Sequence, residues 1–241
     1  MLHKTRGIVL KTTTYSESSV VVQVFTEKFG IQSYLINGVK KPKAKIPMNM
    51  LQPLHLLEMV VYHKQNIQIQ RISEARLMPM FKSIPYDVIK NTIIQFLNEV
   101  LYKSIRQQHV DEQLFEYLYN AISWFDETDG LSTNFHLSFL MKLTRFLGFA
   151  PRPQTRPDQK YFDLQDGNFT SLAPIHPYFA NAEEGKSLML LLETSFHKNN
   201  EIKFSNTYRR LLLDKILIYY QLHTASFGQV KSHQILEEVL S

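Results

Sequence analysis

Four lysines crowd into six residues of the chain, Lys40-Lys41-Pro42-Lys43-Ala44-Lys45. Ammonium groups at this density repel one another unless a polyanion neutralises them, and neutralising phosphates releases condensed counterions. Pro42 and Pro47 keep the segment out of a helix or a central strand, so the charges project from a loop. Arg6 and Lys11, on an opening strand, extend the basic track. Tyrosines such as Tyr15, Tyr34 and Tyr62, wherever they are exposed, are candidates to stack on bases, as binders of single strands require. The pattern points to nucleic acid. A solvated loop that only keeps the chain dispersed fits the same lysines, and for Arg6 and Lys11 ordinary surface charge is the simpler reading.

Other chemistries are poorly represented. There is no cysteine, which excludes disulfides, thiolate zinc sites, iron–sulfur clusters and a cysteine nucleophile. The eight glycines are scattered and form no Walker-type phosphate loop, so nucleotide hydrolysis is not expected. Nine histidines occur without an H-E-x-x-H spacing, and His176 beside Pro177 reads as a loop residue. Asp163 and Asp166 offer an acidic pair for a metal, but a turn at Asp166-Gly167 accounts for them more simply. Glu183-Glu184 and Glu237-Glu238 are adjacent, do not share a helix face, and read as solvated charge. No Gly-x-Ser-x-Gly elbow is present. The expectation is a non-enzyme without metal or cofactor, although a catalytic set that meets only in space stays open.

The elements that must position the loop follow from pattern and charge. A hydrophobic fraction of 44% and an aromatic fraction of 12% support packed cores. Residues 1–80 carry 11 Lys/Arg against 4 Asp/Glu, a net of +7, while residues 81–241 carry 16 against 18, a net of −2. The first third therefore meets a polyanion and the remainder has another task. Up to Met80 the pattern is β. Gly7 to Lys11 opens the set, the β-branched run Val20 to Thr26 can be buried on both faces, and Ile31 to Ile36 and Leu54 to Tyr62 follow. The alternating Ile67 to Ile72 closes it as a half-exposed strand. Five short strands in about 80 residues fit a small closed barrel, because closure removes exposed edges.

Beyond Pro79 the period becomes helical. Ile89, Ile93, Phe96 and Val100 mark one helix face. Leu114, Leu118, Ile122 and Phe125 mark another, with Asp111 as its cap. Phe135, Phe139, Leu143 and Phe146 mark a third that ends at Gly148. Further helices are predicted over Gly185 to Phe196 and Ser205 to His223. The predicted class is α+β: an all-β barrel over residues 1–80, then a helical domain over residues 81–241 with a non-helical insertion at about 150–177. No run of about 18 apolar residues occurs, so no membrane span is expected. The N-terminus lacks an apolar segment with a cleavage site, so a cytoplasmic location is expected.

With these residues on the page, the chain resembles a known family. Gly7-Ile8-Val9-Leu10-Lys11, Tyr15-Ser16-Glu17-Ser18-Ser19 and Thr26-Glu27-Lys28-Phe29-Gly30 resemble the opening of the RecO recombination-mediator family. The likeness continues through Gly38-Val39-Lys40-Lys41-Pro42-Lys43 and Leu51-Gln52-Pro53-Leu54. It resumes at Leu147-Gly148-Phe149-Ala150-Pro151 and at Lys231-Ser232. Each piece is short, and their shared order and spacing give the set its specificity. The resemblance implies an N-terminal OB-fold and a helical domain, with binding of single- and double-stranded DNA and annealing of complementary strands. It also implies work with RecR, and with RecF in some bacteria, to load RecA onto DNA coated by single-strand-binding protein, on the bacterial nucleoid. The family's basic loop falls on Lys40, Lys41 and Lys43. Many relatives carry a four-cysteine zinc module after the Leu-Gly-aromatic-x-Pro segment. Here Arg152 to Thr170 has no cysteine, so zinc is not carried over, and Tyr161 to Leu164 with Phe169 are expected to fill the space. In relatives the helical domain receives the acidic, hydrophobic tail of the single-strand-binding protein, for which Lys142 and Arg145 are possible contacts or ordinary surface charges. The rival readings are a protein-interaction scaffold without DNA binding and an unrecognised metal-dependent hydrolase.

Overall fold

The computed structural model describes residues 1–105, 109–130 and 133–240. By packing, the chain forms two compact units, Met1–Glu127 and Thr128–Ser241.

The first unit contains the five strands β1 (Leu2–Thr14), β2 (Val20–Thr26), β3 (Gly30–Ile36), β4 (Leu56–Tyr62) and β5 (Ile69–Leu77). They close into a barrel in the order β1-β2-β3-β5-β4. All neighbours are antiparallel except β3 and β5, which pair in parallel through Ser33 with Ile69 and Leu35 with Arg71. The β-branched run of β2 serves two surfaces. Val20, Val22 and Val24 point into the barrel with Val9, Tyr34, Leu57, Met59 and Val61, while Phe25 meets Phe115 at 5.8 Å on the outside. A bulge between Val9 and Lys11 breaks the β1 register, which allows the adjacent Val9 and Leu10 both to be buried.

Phe115 belongs to the second of two helices, α1 (Val88–Ser104) and α2 (Glu112–Glu127), that the same unit contains. Asp87 caps α1 by accepting from Ile89 N and Lys90 N, and Asp111 caps α2 by accepting from Leu114 N at 2.9 Å. Packing thus groups both helices with the barrel, and the compact unit runs past residue 80. The last strand differs from its sequence pattern. Ile67 and Ile69 lie outside, each 45% exposed, and Gln70 is buried. A register shift between Val60 and Val61 accompanies the exchange. The Gln70 amide replaces an apolar contact with hydrogen bonds, donating to Lys64 O at 2.8 Å and Ile67 O at 2.9 Å. It closes the β4–β5 connection from within.

The second unit holds α3 (Phe135–Leu147), the three short strands β6 (Tyr161–Asp163), β7 (Asn168–Thr170) and β8 (Phe179–Asn181), then α4 (Ala182–Glu193), α5 (Asn206–His223) and α6 (Ser232–Val239). The αL residue Gly148, at φ +84°, ends α3. Asn181 and Glu184 form a capping box that starts α4 three residues before the predicted position, and Ser205 caps α5. The non-helical insertion is a small antiparallel sheet in the order β7-β6-β8. Phe162, Leu164 and Phe169 are its buried cluster, with the two phenylalanine rings 5.0 Å apart. Strands of three residues carry too little alternation to be read from sequence. Helix α4 sits so close that a Cβ on Gly185 would lie 2.8 Å from Phe169 Cε1. Among the described residues, no helix is long and apolar enough to cross a membrane.

Candidate nucleic-acid interface

The four lysines lie on the β3–β4 connection, and its backbone explains why they face outward. Val39 and Ile46 are buried and join the barrel core, anchoring both ends of the run. Met48 N donates to Val39 O at 3.3 Å and closes the base of the loop. Inside it, Lys41 N donates to Gly38 O and Ala44 N to Lys41 O, each at 3.1 Å. Gly38 takes φ +71°, a left-handed conformation that favours glycine. Lys40, Lys41, Lys43 and Lys45 are all exposed. Among the described residues no carboxylate lies within ion-pair distance of any of them. The loop is a fixed scaffold presenting uncompensated positive charge.

The outlying cations divide. Lys11 is exposed, and its ammonium donates to Tyr102 Oη at 3.1 Å and rests 4.5 Å from the centre of that ring. Tyr102 is 91 residues away in the chain, so no sequence signal links the two. Arg6 has a different task. Its guanidinium donates to Glu27 through Nε at 3.2 Å and Nη2 at 2.9 Å, pairs also with Glu116, and lies over the Phe115 and Tyr119 rings at 5.2 and 4.8 Å. The hydrogen bond with Arg6 is the main reason the Glu27 carboxyl is held below its ordinary range. Arg6 is a strut between barrel and α2, with its charge offset by two carboxylates. Arg6→Ala is expected to lower the stability of this unit by about 1–3 kcal/mol, read as a lower urea midpoint. An unchanged midpoint would remove the strut assignment.

Other positions are corrected by burial. Tyr34 is 0% exposed inside the barrel and is unavailable to a base, whereas Tyr15 and Tyr62 are 66% and 44% exposed. In the second unit, Lys142 donates to Leu192 O at 2.8 Å and lies 5.8 Å from the Phe196 ring. Burial pushes its pKa down, with Arg145 adding to the effect. Lys142 thus caps the last turn of α4, and Arg145 is left exposed. The Asp163 carboxylate accepts from Gln165 N and Asp166 N and pairs with His176 Nε2 at 3.2 Å. Its oxygens organise the turn before Gly167. His233 Nε2 lies 3.4 Å from Asp214 and 3.1 Å from Glu237, and the three residues bring their potential ligand atoms within 4.8 Å of one another.

A groove of about 570 Å³ on the barrel carries both signs of charge, with Lys4, Arg6, Lys28 and Arg76 alongside Glu27, Glu58 and Glu74. Arg76 is already bonded to Glu58. Nearly balanced charge gives a polyanion much less attraction there than the four lysines of the loop do.

Comparison with known proteins agrees across the whole chain. Residues 1–81 match the family model described as "Recombination protein O N terminal", and residues 85–233 match "Recombination protein O C terminal". A protein of Phocaeicola vulgatus named "DNA repair protein RecO" is 34% identical over 241 residues, covering 100% of both chains. Proteins of the same name from Bacteroides fragilis and Flavobacterium psychrophilum are 36% identical over 240 residues and 34% over 242, each with 99% of both chains covered.

Proposed function

The chain belongs to the recombination protein O family, with a role in DNA repair and recombination, and on that premise we propose that it binds single- and double-stranded DNA and anneals complementary strands. With RecR, and with RecF where that partner is used, it helps RecA load onto DNA coated by single-strand-binding protein in the cytoplasm, at the nucleoid. The DNA-binding role is assigned to residues 1–80 and the partner-binding role to the helical residues 81–241. Lys40, Lys41, Lys43 and Lys45 are the primary contacts and Lys11 their continuation, while Arg6 supports the barrel that carries them. On the second unit the exposed Arg145 is the remaining candidate for the acidic tail of single-strand-binding protein.

One observation carries the reading: four exposed lysines, without carboxylate partners among the described residues, stand on a loop anchored at both ends to a closed five-stranded barrel. The mechanism that follows is electrostatic. Two DNA strands repel each other, the loop lowers that repulsion by replacing counterions, and the bases pair on their own. Annealing of two complementary oligonucleotides tests it. The wild-type chain is expected to accelerate duplex formation at low salt, and a chain with Lys40, Lys41 and Lys43 changed to alanine is expected to lose the acceleration while melting at the same temperature. Equal acceleration by both proteins would overturn the assignment of the loop.

The scaffold reading predicts capture of acidic peptides with no measurable DNA binding. The hydrolase reading predicts metal-dependent turnover that is lost on changing Asp163 or a histidine; the Asp163 oxygens are occupied by backbone donors and His176, whereas Asp214, His233 and Glu237 bring their ligand atoms within 4.8 Å of one another.

A further inference from the structure

We infer that Tyr15 is a stacking platform for an unpaired base and gives the lysine loop a preference for single strands over duplex. The inference rests on the DNA-binding reading above and adds to it the part of the ligand that lysines do not recognise. A lysine loop alone reads phosphate, which single strands and duplexes share. Selecting unpaired DNA requires a group that touches a base face, and a base face is open only when the base is out of a double helix.

Strand register places Tyr15 beside the loop. Thr14 pairs with Val20, and Val20 pairs with Ile36. These three residues form one rung across β1, β2 and β3. Tyr15 and Asn37 are each the next residue past that rung, about 10 Å apart by two strand spacings. The turn that carries Tyr15 is closed by Tyr15 N and Ser16 N, which donate to Ser19 O at 2.9 and 3.2 Å. It is also tied to the basic loop twice: Val39 N donates to Ser18 O at 3.0 Å, and Ser19 Oγ donates to Asn37 Oδ1 at 2.9 Å. The turn that carries Tyr15 and the foot of the lysine loop are therefore hydrogen-bonded to each other. Glu17 is the one carboxylate in the turn, set against four lysines in the loop.

Tyr15 is also set apart from the other barrel tyrosines. Tyr34 is buried. Tyr62 pairs with Leu2, at the opposite end of β1 from Thr14, where the lysine loop does not begin. Tyr15 alone among these three joins high exposure with a place at the foot of the basic loop.

The test uses the full chain, oligothymidylate as the single-stranded probe and a blunt duplex of mixed sequence as the other. Stacking a base on an aromatic side chain is worth about 5- to 100-fold in affinity. Tyr15→Ala is expected to weaken oligothymidylate binding by that factor, to leave duplex binding within about twofold, and to leave the salt slope unchanged because no charge is lost. Tyr15→Trp is expected to restore the affinity and to add a fluorescence signal, beyond that of Trp124, that the oligonucleotide quenches. Equal loss on both probes, no loss on either, or an unquenched signal at position 15 would overturn the stacking role. The alanine variant of Lys40, Lys41 and Lys43 separates the two claims. If that variant binds normally as well, the loop assignment itself has failed; if only the Tyr15 variants are silent, the loop stands and the stacking role falls.

Discussion

Replacing Lys40, Lys41 and Lys43 together with alanine is expected to lower affinity for single-stranded DNA about a hundredfold at 0.1 M salt. The size follows from counterion release. Each phosphate contact on a single strand contributes about 0.7 to the slope of log affinity against log salt, so it carries about 0.7 log units between 1 M and 0.1 M. Three contacts then carry about two log units. The change should act alike on every sequence, since phosphates carry no base identity. Folding should be untouched: the three side chains are exposed, and the loop is held by Val39, Ile46 and backbone bonds that alanine leaves in place. A gel-shift or anisotropy titration checks the affinity, and a thermal melt checks the fold. Wild-type affinity in this variant would return the loop to ordinary surface charge.

The largest effect on stability is expected at Asp126, a buried residue near the end of α2. Its carboxylate accepts three backbone N–H groups of the turn between barrel and α1: Lys82 at 2.7 Å, Ser83 at 2.9 Å and Ile84 at 2.9 Å. Ser83 Oγ adds a bond to the Asp126 carbonyl at 2.5 Å and accepts from Lys90 Nζ at 2.8 Å. One carboxylate thus fastens the barrel's exit to the far end of the helical pair. Asp126→Ala leaves these donors without their acceptor, at a cost of about 1–3 kcal/mol for each one kept from water, so a total of about 3–5 kcal/mol is expected. Asp126→Asn should cost less, because its one carbonyl oxygen still accepts while its amide turns a donor toward a donor. Urea denaturation measures both. A loss under about 1 kcal/mol in the alanine variant would show that the turn holds without the carboxylate.

How much of this was legible in the sequence depended on how local the signal was. The lysine loop, the cap Asp111 and the stop at Gly148 are written in a few consecutive residues, and each occupies the place its chemistry indicates. The barrel was legible because β-branched runs between turn residues leave few other folds. What escaped was non-local. Arg6 reads as one more surface cation until Glu27 and Glu116, 21 and 110 residues away, are brought to its guanidinium. Lys142 sits at a polar position of its own helix and is claimed by a carbonyl 50 residues on. Tyr34 looks like the exposed Tyr15 and Tyr62 until the parity of β3 turns it inward. The exchange at Ile69 and Gln70 accompanies a bulge at Ser73 of β5, where Val60 and Val61 face Glu74 and Ile72, and an alternating sequence does not mark such a shift. The small sheet after α3 has its core in the cluster of Phe162, Leu164 and Phe169, and its three-residue strands are too short for their alternation to show.

The positive potential of the first unit is the centre of the account, and salt dependence measures it most directly. Affinity for oligothymidylate should be followed from 0.05 to 0.5 M salt (roughly one decade, over which the counterion term dominates) for the wild-type chain and the chain lacking Lys40, Lys41 and Lys43. Five phosphate contacts, from the four loop lysines and Lys11, predict a slope of about −3.5 for the wild type, and the remaining Lys45 and Lys11 predict about −1.4 for the variant. Two parallel lines, or binding that ignores salt altogether, would contradict the account.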